Sequence, residues 1–142
     1  MKKTAVIYWS GTGNTQAMAE AVLSGMKDAG TDAVMLTPDQ VDASAIAGLD
    51  SIALGCPAMG AEVLEDSEFE PMYENIKSSL AGKAVALFGS YGWGDGEWMR
   101  NWEEDCSASG ITLAAESVIC CEAPDDAALA ACRDLGTVLA NK

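Results

Sequence analysis

Short apolar runs and amphipathic stretches alternate along the whole chain. Thr4-Ala5-Val6-Ile7-Tyr8-Trp9 predicts a short buried strand. After a polar stop, Met18, Val22, Leu23 and Met26 recur at helical spacing, and Gly30 ends that helix. Ala33 to Leu36 predicts a weak second strand, Pro38 to Gly48 a poor helix at best, and Ser51-Ile52-Ala53-Leu54 a third strand closed by Gly55-Cys56-Pro57. Phe69, Met72, Tyr73, Ile76 and Leu80 mark one helical face, with Asp66 or Ser67 as its cap and Pro71 in its first turns. Ala84 to Phe88 is the clearest strand. It runs into Gly89-Ser90-Tyr91-Gly92-Trp93-Gly94-Asp95-Gly96, and the next helix carries Trp98, Trp102 and Cys106 four residues apart. Ile111 to Cys120 predicts a fifth strand. Pro124-Asp125-Asp126 opens the last helix, with Leu135, Val138 and Leu139 inward.

Strands alternating with helices five times predict an α/β fold, a parallel sheet with helices on both faces, in one domain over residues 1–142. In such sheets ligands bind outside the carboxyl ends of the strands, where the strand order reverses. The loops after strands one, three and four are the unusual ones and are expected to converge on one site.

Composition narrows the chemistry. The chain of 142 residues is 49% hydrophobic, enough for a real core, and carries a net charge of −14. That balance leaves no basic face for nucleic acid and disfavours anionic membrane surfaces. With no histidine, Ser-His and Cys-His catalysis and every His-containing metal site are excluded. The odd cysteine count, the adjacent Cys120-Cys121 and the lack of any Cys-x-x-Cys argue for free thiols rather than disulfides, zinc or an iron–sulfur cluster. The run Ala5 to Trp9 is too short for a signal peptide, and no stretch approaches the ~20 apolar residues of a membrane span. The expected address is the cytoplasm.

The first loop, Ser10-Gly11-Thr12-Gly13-Asn14-Thr15, joins a strand directly to a helix. Its glycines let backbone N–H groups face one point, and its hydroxyls and amide add uncharged donors. No lysine is present, so this is no Walker-type triphosphate loop. Gln16 breaks the Gly-x-Gly-x-x-Gly spacing. A neutral donor cradle suits a terminal phosphate monoester. The third-strand loop Ala58-Met59-Gly60-Ala61-Glu62 brings a thioether, a glycine and a carboxylate together. Trp93, between glycines on the fourth-strand loop, is poorly placed for a core and well placed to lie on a planar ligand.

These three loops resemble those of the flavodoxins, in particular the short-chain clostridial type, and the similarity runs over nearly the whole chain. Long-chain members interrupt the fifth strand; Ile111 to Cys121 leaves no room for that. The resemblance implies a three-layer, doubly wound five-stranded parallel sheet of order 2-1-3-4-5, with non-covalent FMN at the switch point. It implies that Ser10, Thr12, Gly13, Asn14 and Thr15 hold the 5′-phosphate. It implies that Met59 and Trp93 cover the two ring faces, that Glu62 accepts from the ring N3–H, and that the Gly60 carbonyl turns toward N5. The flanking Pro57, Ala58 and Ala61, and Ser90, Tyr91, Gly92, Gly94 and Asp95, complete the implied site. Two positions depart from close relatives: Pro57 stands for a serine that also donates to the phosphate, and Ala61 for an aspartate beside the turning glycine.

The function this implies is a low-potential one-electron carrier, working between the semiquinone and hydroquinone states of FMN, and not an enzyme. Glu62, Glu65, Asp66, Glu68 and Glu70 are expected near the flavin edge, steering the carrier to basic patches on redox proteins such as ferredoxin-type oxidoreductases. A monomer is expected, with no nucleic-acid or membrane partner and no metal. A flavin-dependent reductase, or a flavoprotein that activates a ribonucleotide reductase, stays open as the alternative on the same fold. A receiver domain of similar topology would need acidic residues where Ser10-Gly11-Thr12 stand.

Overall fold

The computed structural model describes residues 2–60, 62–92 and 94–142. Its elements run β1 (Lys3–Tyr8), α1 (Asn14–Asp28), β2 (Asp32–Leu36), a 3₁₀ turn (Pro38–Gln40), α2 (Ala43–Ala47), β3 (Ser51–Gly55), α3 (Phe69–Ile76), a 3₁₀ turn (Lys77–Ser79), β4 (Ala84–Tyr91), α4 (Glu97–Ala108), β5 (Val118–Cys121) and α5 (Asp126–Ala140). The sheet is parallel, in the order β2-β1-β3-β4-β5. The chain moves outward from β1 to β2 and then crosses back to β3 on the other side of β1. The loops leaving β1 and β3 therefore part above neighbouring strands, and a crevice opens between them.

The apolar runs do not alternate with polar residues because both sheet faces are buried. Ala5 and Ile7, Ile52 and Leu54, and Val85 and Leu87 face the core under α3 and α4. Val6, Ala53, Ala86 and Phe88 face the opposite core under α1 and α5. The α3 face is buried as its spacing predicts, through Phe69, Met72, Tyr73 and Ile76, and Leu80 is buried beyond the 3₁₀ turn that follows.

Several boundaries differ from the sequence reading. β1 begins at Lys3 and stops before Trp9, whose amide still donates to the Gly55 carbonyl at 3.0 Å. β4 runs on through Gly89, Ser90 and Tyr91, because β5 pairs with Phe88–Tyr91. The expected fifth strand is broken. Val85 lies opposite Leu113, but Phe88 lies opposite Val118, so two extra residues bulge between the pairings. The cap of α3 is neither Asp66 nor Ser67; the carboxylate of Glu65 takes that part. Val138 does not point inward: it is 36% exposed, while Cys132 is buried beside Leu135 and Leu139.

Candidate functional site

A cleft of about 550 Å³ opens at the carboxyl end of the sheet, walled by the loops after β1, β3, β4 and β5. The first loop contributes Trp9, Gly11, Thr12 and Asn14; the second, Pro57, Ala58 and Met59. β4 and its loop contribute Ser90, Tyr91 and Gly92, and the segment after β5 adds Glu122 and Ala123. The three loops singled out in the sequence do converge.

In the first loop Gly13 adopts φ +96° and caps α1, whose first turn carries no acidic residue. The positive end of α1 is thus left uncompensated toward the cleft. The Ser10 Oγ accepts from the amides of Gly13 (3.1 Å) and Gln16 (3.3 Å). Its oxygen folds the loop from within, and its O–H is the part left to donate outward. Thr15 is buried, and its hydroxyl shares a 2.9 Å hydrogen bond with that of Ser90, tying the first loop to β4.

The second loop is tight. Met59 and Val63 exchange amide hydrogen bonds of 2.8 and 3.0 Å, and Gly60 and Glu62 have φ of +48° and +56°. The Ala58 amide donates to the Ser90 carbonyl at 3.0 Å, joining this loop to β4. Glu62 is not on the cleft's lining; it walls a separate hollow of about 200 Å³ with residues of α3 and α4, and packs against Gly94, where a Cβ would run into the carboxylate. Glu62 is only 8% exposed, and its Oε1 has no hydrogen-bond partner among the described residues.

Behind this loop sits Glu65, 4% exposed. Its Oε1 accepts from the amides of Glu68 (2.7 Å) and Phe69 (2.8 Å), and its Oε2 from the Ser67 amide (2.9 Å) and hydroxyl. Burial alone would raise its pKa, but the Ser67 hydroxyl and these amides outweigh that and hold the carboxyl below its ordinary range. The Glu65 amide donates to Cys56 Sγ at 3.4 Å. Burial pushes the Cys56 thiol up to about 12, so it is neutral at physiological pH.

Of the five carboxylates expected on the docking edge, Glu62 and Glu65 are therefore interior; Asp66, Glu68 and Glu70 are exposed. Asp95 is not on the cleft's lining. It pairs with Arg100 at 2.9 Å, and that guanidinium holds its carboxyl below the ordinary range. Ala61 and Trp93 lie outside the described residues.

Sequence reading missed Trp9, Glu122 and Ala123 as wall residues. Trp9 is the last apolar residue before the Ser10–Thr15 loop, which is a signal in itself. Glu122 and Ala123 follow β5, and the rule that sites form at carboxyl ends extends to that strand too. Among the described residues no group of three or more His, Cys, Asp or Glu could hold a metal ion, and no helix is long and apolar enough to cross a membrane.

Fold and cleft together define a doubly wound α/β domain with an uncharged anion cradle at its topological switch point. The flavodoxin family model matches residues 6–136. The chain is 45% identical over 136 residues to a flavodoxin of Clostridium beijerinckii, covering 96% of this chain and 98% of that one. It is 44% identical to a flavodoxin of Megasphaera elsdenii, over 95% and 96% of the two chains. The solution structure of two-electron reduced Megasphaera elsdenii flavodoxin superposes with a TM-score of 0.90 at 43% identity, over 98% of this chain and 99% of that one. The chain belongs to the flavodoxin family, the FMN-binding electron-transfer proteins.

Proposed function

We propose that this chain is a low-potential carrier of single electrons between redox enzymes, without a substrate of its own, and that FMN occupies the 550 Å³ cleft. When bound, FMN supplies the one-electron chemistry; the chain binds it, orients it and sets its electrostatic surroundings. Ser10, Thr12, Gly13, Asn14 and Thr15 would hold the phosphate with neutral donors and the α1 terminus. Met59 and Trp93 would cover the ring, as the resemblance implies, and the second and fourth loops, from Pro57 to Glu62 and from Ser90 to Asp95, would frame it.

The observation that carries this reading is the Glu62 carboxylate. A buried carboxylate oxygen left without a donor costs about 1–3 kcal/mol or more, and Oε1 of Glu62, three residues beyond the cleft-lining Met59, has no partner among the described residues. An N–H on the rim of a planar ligand satisfies it, as the N3–H of FMN would. The same carboxylate, in a chain of net charge −14 whose Ser10–Thr15 cradle holds no cation, disfavours extra negative charge on the ligand. That is the electrostatic basis for a low potential.

The exposed Asp66, Glu68 and Glu70 supply the acidic face that meets basic patches on partners such as ferredoxin-type oxidoreductases. A monomeric, cytoplasmic carrier suits such transient encounters. The test is a reductive titration of the FMN-reconstituted protein followed by visible absorbance, paired with reduction by a partner oxidoreductase at increasing salt. The expected result is a yellow protein, two separated one-electron steps, and a rate that falls as salt rises. A protein that stays colourless after mixing with FMN refutes the reading. A single two-electron step, or a salt-independent rate, refutes the carrier and docking parts of it.

A further inference from the structure

Trp9 lines two spaces at once. One is the cleft described above. The other is a hollow of about 250 Å³ on its far side, walled by Tyr8, Ser10, Gln16, Thr37, Asp39 and Glu68 among others. The indole is fixed in place: its Nε1–H donates to Glu68 Oε2 at 2.6 Å, across 59 positions of sequence. Its ring also packs against Gly11 of the first loop, since a Cβ there would come within 3.1 and 3.3 Å of Cη2 and Cζ3. Glu68 is itself anchored, its amide donating to Glu65 Oε1 at 2.7 Å, so ring, carboxylate and the turn before α3 form one clamp.

The hollow beyond the indole carries the carboxylates of Asp39 and Glu68, and neither is ion-paired among the described residues. The cradle on the near side holds only neutral donors, in the loop Ser10 to Thr15. It suits one terminal phosphate. A second phosphate attached to the first would bring more negative charge, with no cation to meet it. Extended from the cradle toward that hollow, it would meet the indole and then two carboxylates. Like charges in that order repel, and a desolvated phosphate gains nothing in return.

We infer that Trp9, clamped by Glu68, is a specificity-determining wall by which the cleft accepts a flavin mononucleotide and rejects the dinucleotide FAD; this rests on the reading of the cleft as the FMN site. Trp9 acts by contact and by blocking, and Glu68 acts through Trp9 and by its charge.

The experiment is a titration of the flavin-free protein with FMN and with FAD, read by quenching of flavin fluorescence, for the parent, Trp9→Ala and Glu68→Gln. The parent is expected to bind FMN far more tightly than FAD. Trp9→Ala is expected to narrow the ratio of the two dissociation constants at least tenfold. Glu68→Gln is expected to narrow it by a smaller factor, because the ring remains while the carboxylate is lost. If Trp9→Ala does not fold, Glu68→Gln decides. A ratio within twofold of the parent in every folded variant, or a parent that binds both flavins equally, overturns the inference while tight FMN binding leaves the function intact. A parent that binds no FMN at all overturns the function, and the inference with it.

Discussion

Replacing Glu65 by alanine isolates the contribution of a single buried carboxylate to the loop that walls the cleft. Its two oxygens accept from three amides and one hydroxyl. Ser67 and Glu68 are exposed, so their freed donors regain water; Phe69 is fully buried, so its amide does not. An unsatisfied buried donor costs about 1–3 kcal/mol, and loss of a helix cap about 1 kcal/mol. Together they predict a loss of roughly 2–3 kcal/mol at pH 7, or about 5–10 °C in melting temperature for a chain of this size. The pH dependence carries a definite sign. The folded carboxyl titrates below its unfolded value of about 4.3, so its stabilisation is complete above that pH and is lost as pH falls through the folded value. The gap between parent and Glu65→Ala should therefore be widest near neutrality and should shrink as the pH falls below about 4. Urea unfolding without flavin, at a series of pH values, measures it free of binding linkage. Taking the difference between the two proteins cancels the other carboxylates. A gap equal at pH 7 and pH 3, or smaller than about 0.5 kcal/mol at pH 7, refutes the assignment of Glu65 as a charged cap.

Three further outcomes follow from the same geometry. Thr12→Asp adds a like charge and removes a donor in the anion cradle, so it should weaken FMN binding by about 3 kcal/mol while barely changing the affinity for riboflavin; fluorescence titration with both flavins checks this. Gly89→Ala would drive a Cβ into the Cys56 carbonyl oxygen, which also accepts from Trp98 Nε1 at 3.1 Å; a loss of about 2–3 kcal/mol in chemical unfolding is expected. Gly94→Ala meets both a φ of +87° and the Glu62 carboxylate, so it should displace that carboxylate and weaken FMN binding at least tenfold with a smaller effect on the stability of the flavin-free chain, read by titration beside a thermal melt.

What the sequence determined by itself is whatever a local period or a local stop encodes. Apolar runs marked β1, β3 and β4, and the spacing of Phe69, Met72, Tyr73 and Ile76 marked the inner face of α3. The Ser10–Thr15 loop was legible because glycines and hydroxyls at a strand–helix junction have few other uses. The identity of the cofactor came from resemblance, not from these periods. Tertiary structure alone decided which members of an acidic run keep their water. Glu62, Glu65, Asp66, Glu68 and Glu70 look alike in sequence, yet the first two are buried and the others exposed. Glu65 is interior because the turn entering α3 wraps its amides around it, and Glu62 because Gly94 packs against it from 32 positions away. The length of β4 was likewise hidden. Gly89 to Tyr91 read as a glycine-rich loop, and they become strand only because Ile119 to Cys121 pair with them. Trp9 meets Glu68 for the same kind of reason, through a contact between two distant carboxyl-end loops. Such pairings are set by which surfaces the sheet brings together, and a chain's local pattern holds no record of what arrives from the far side.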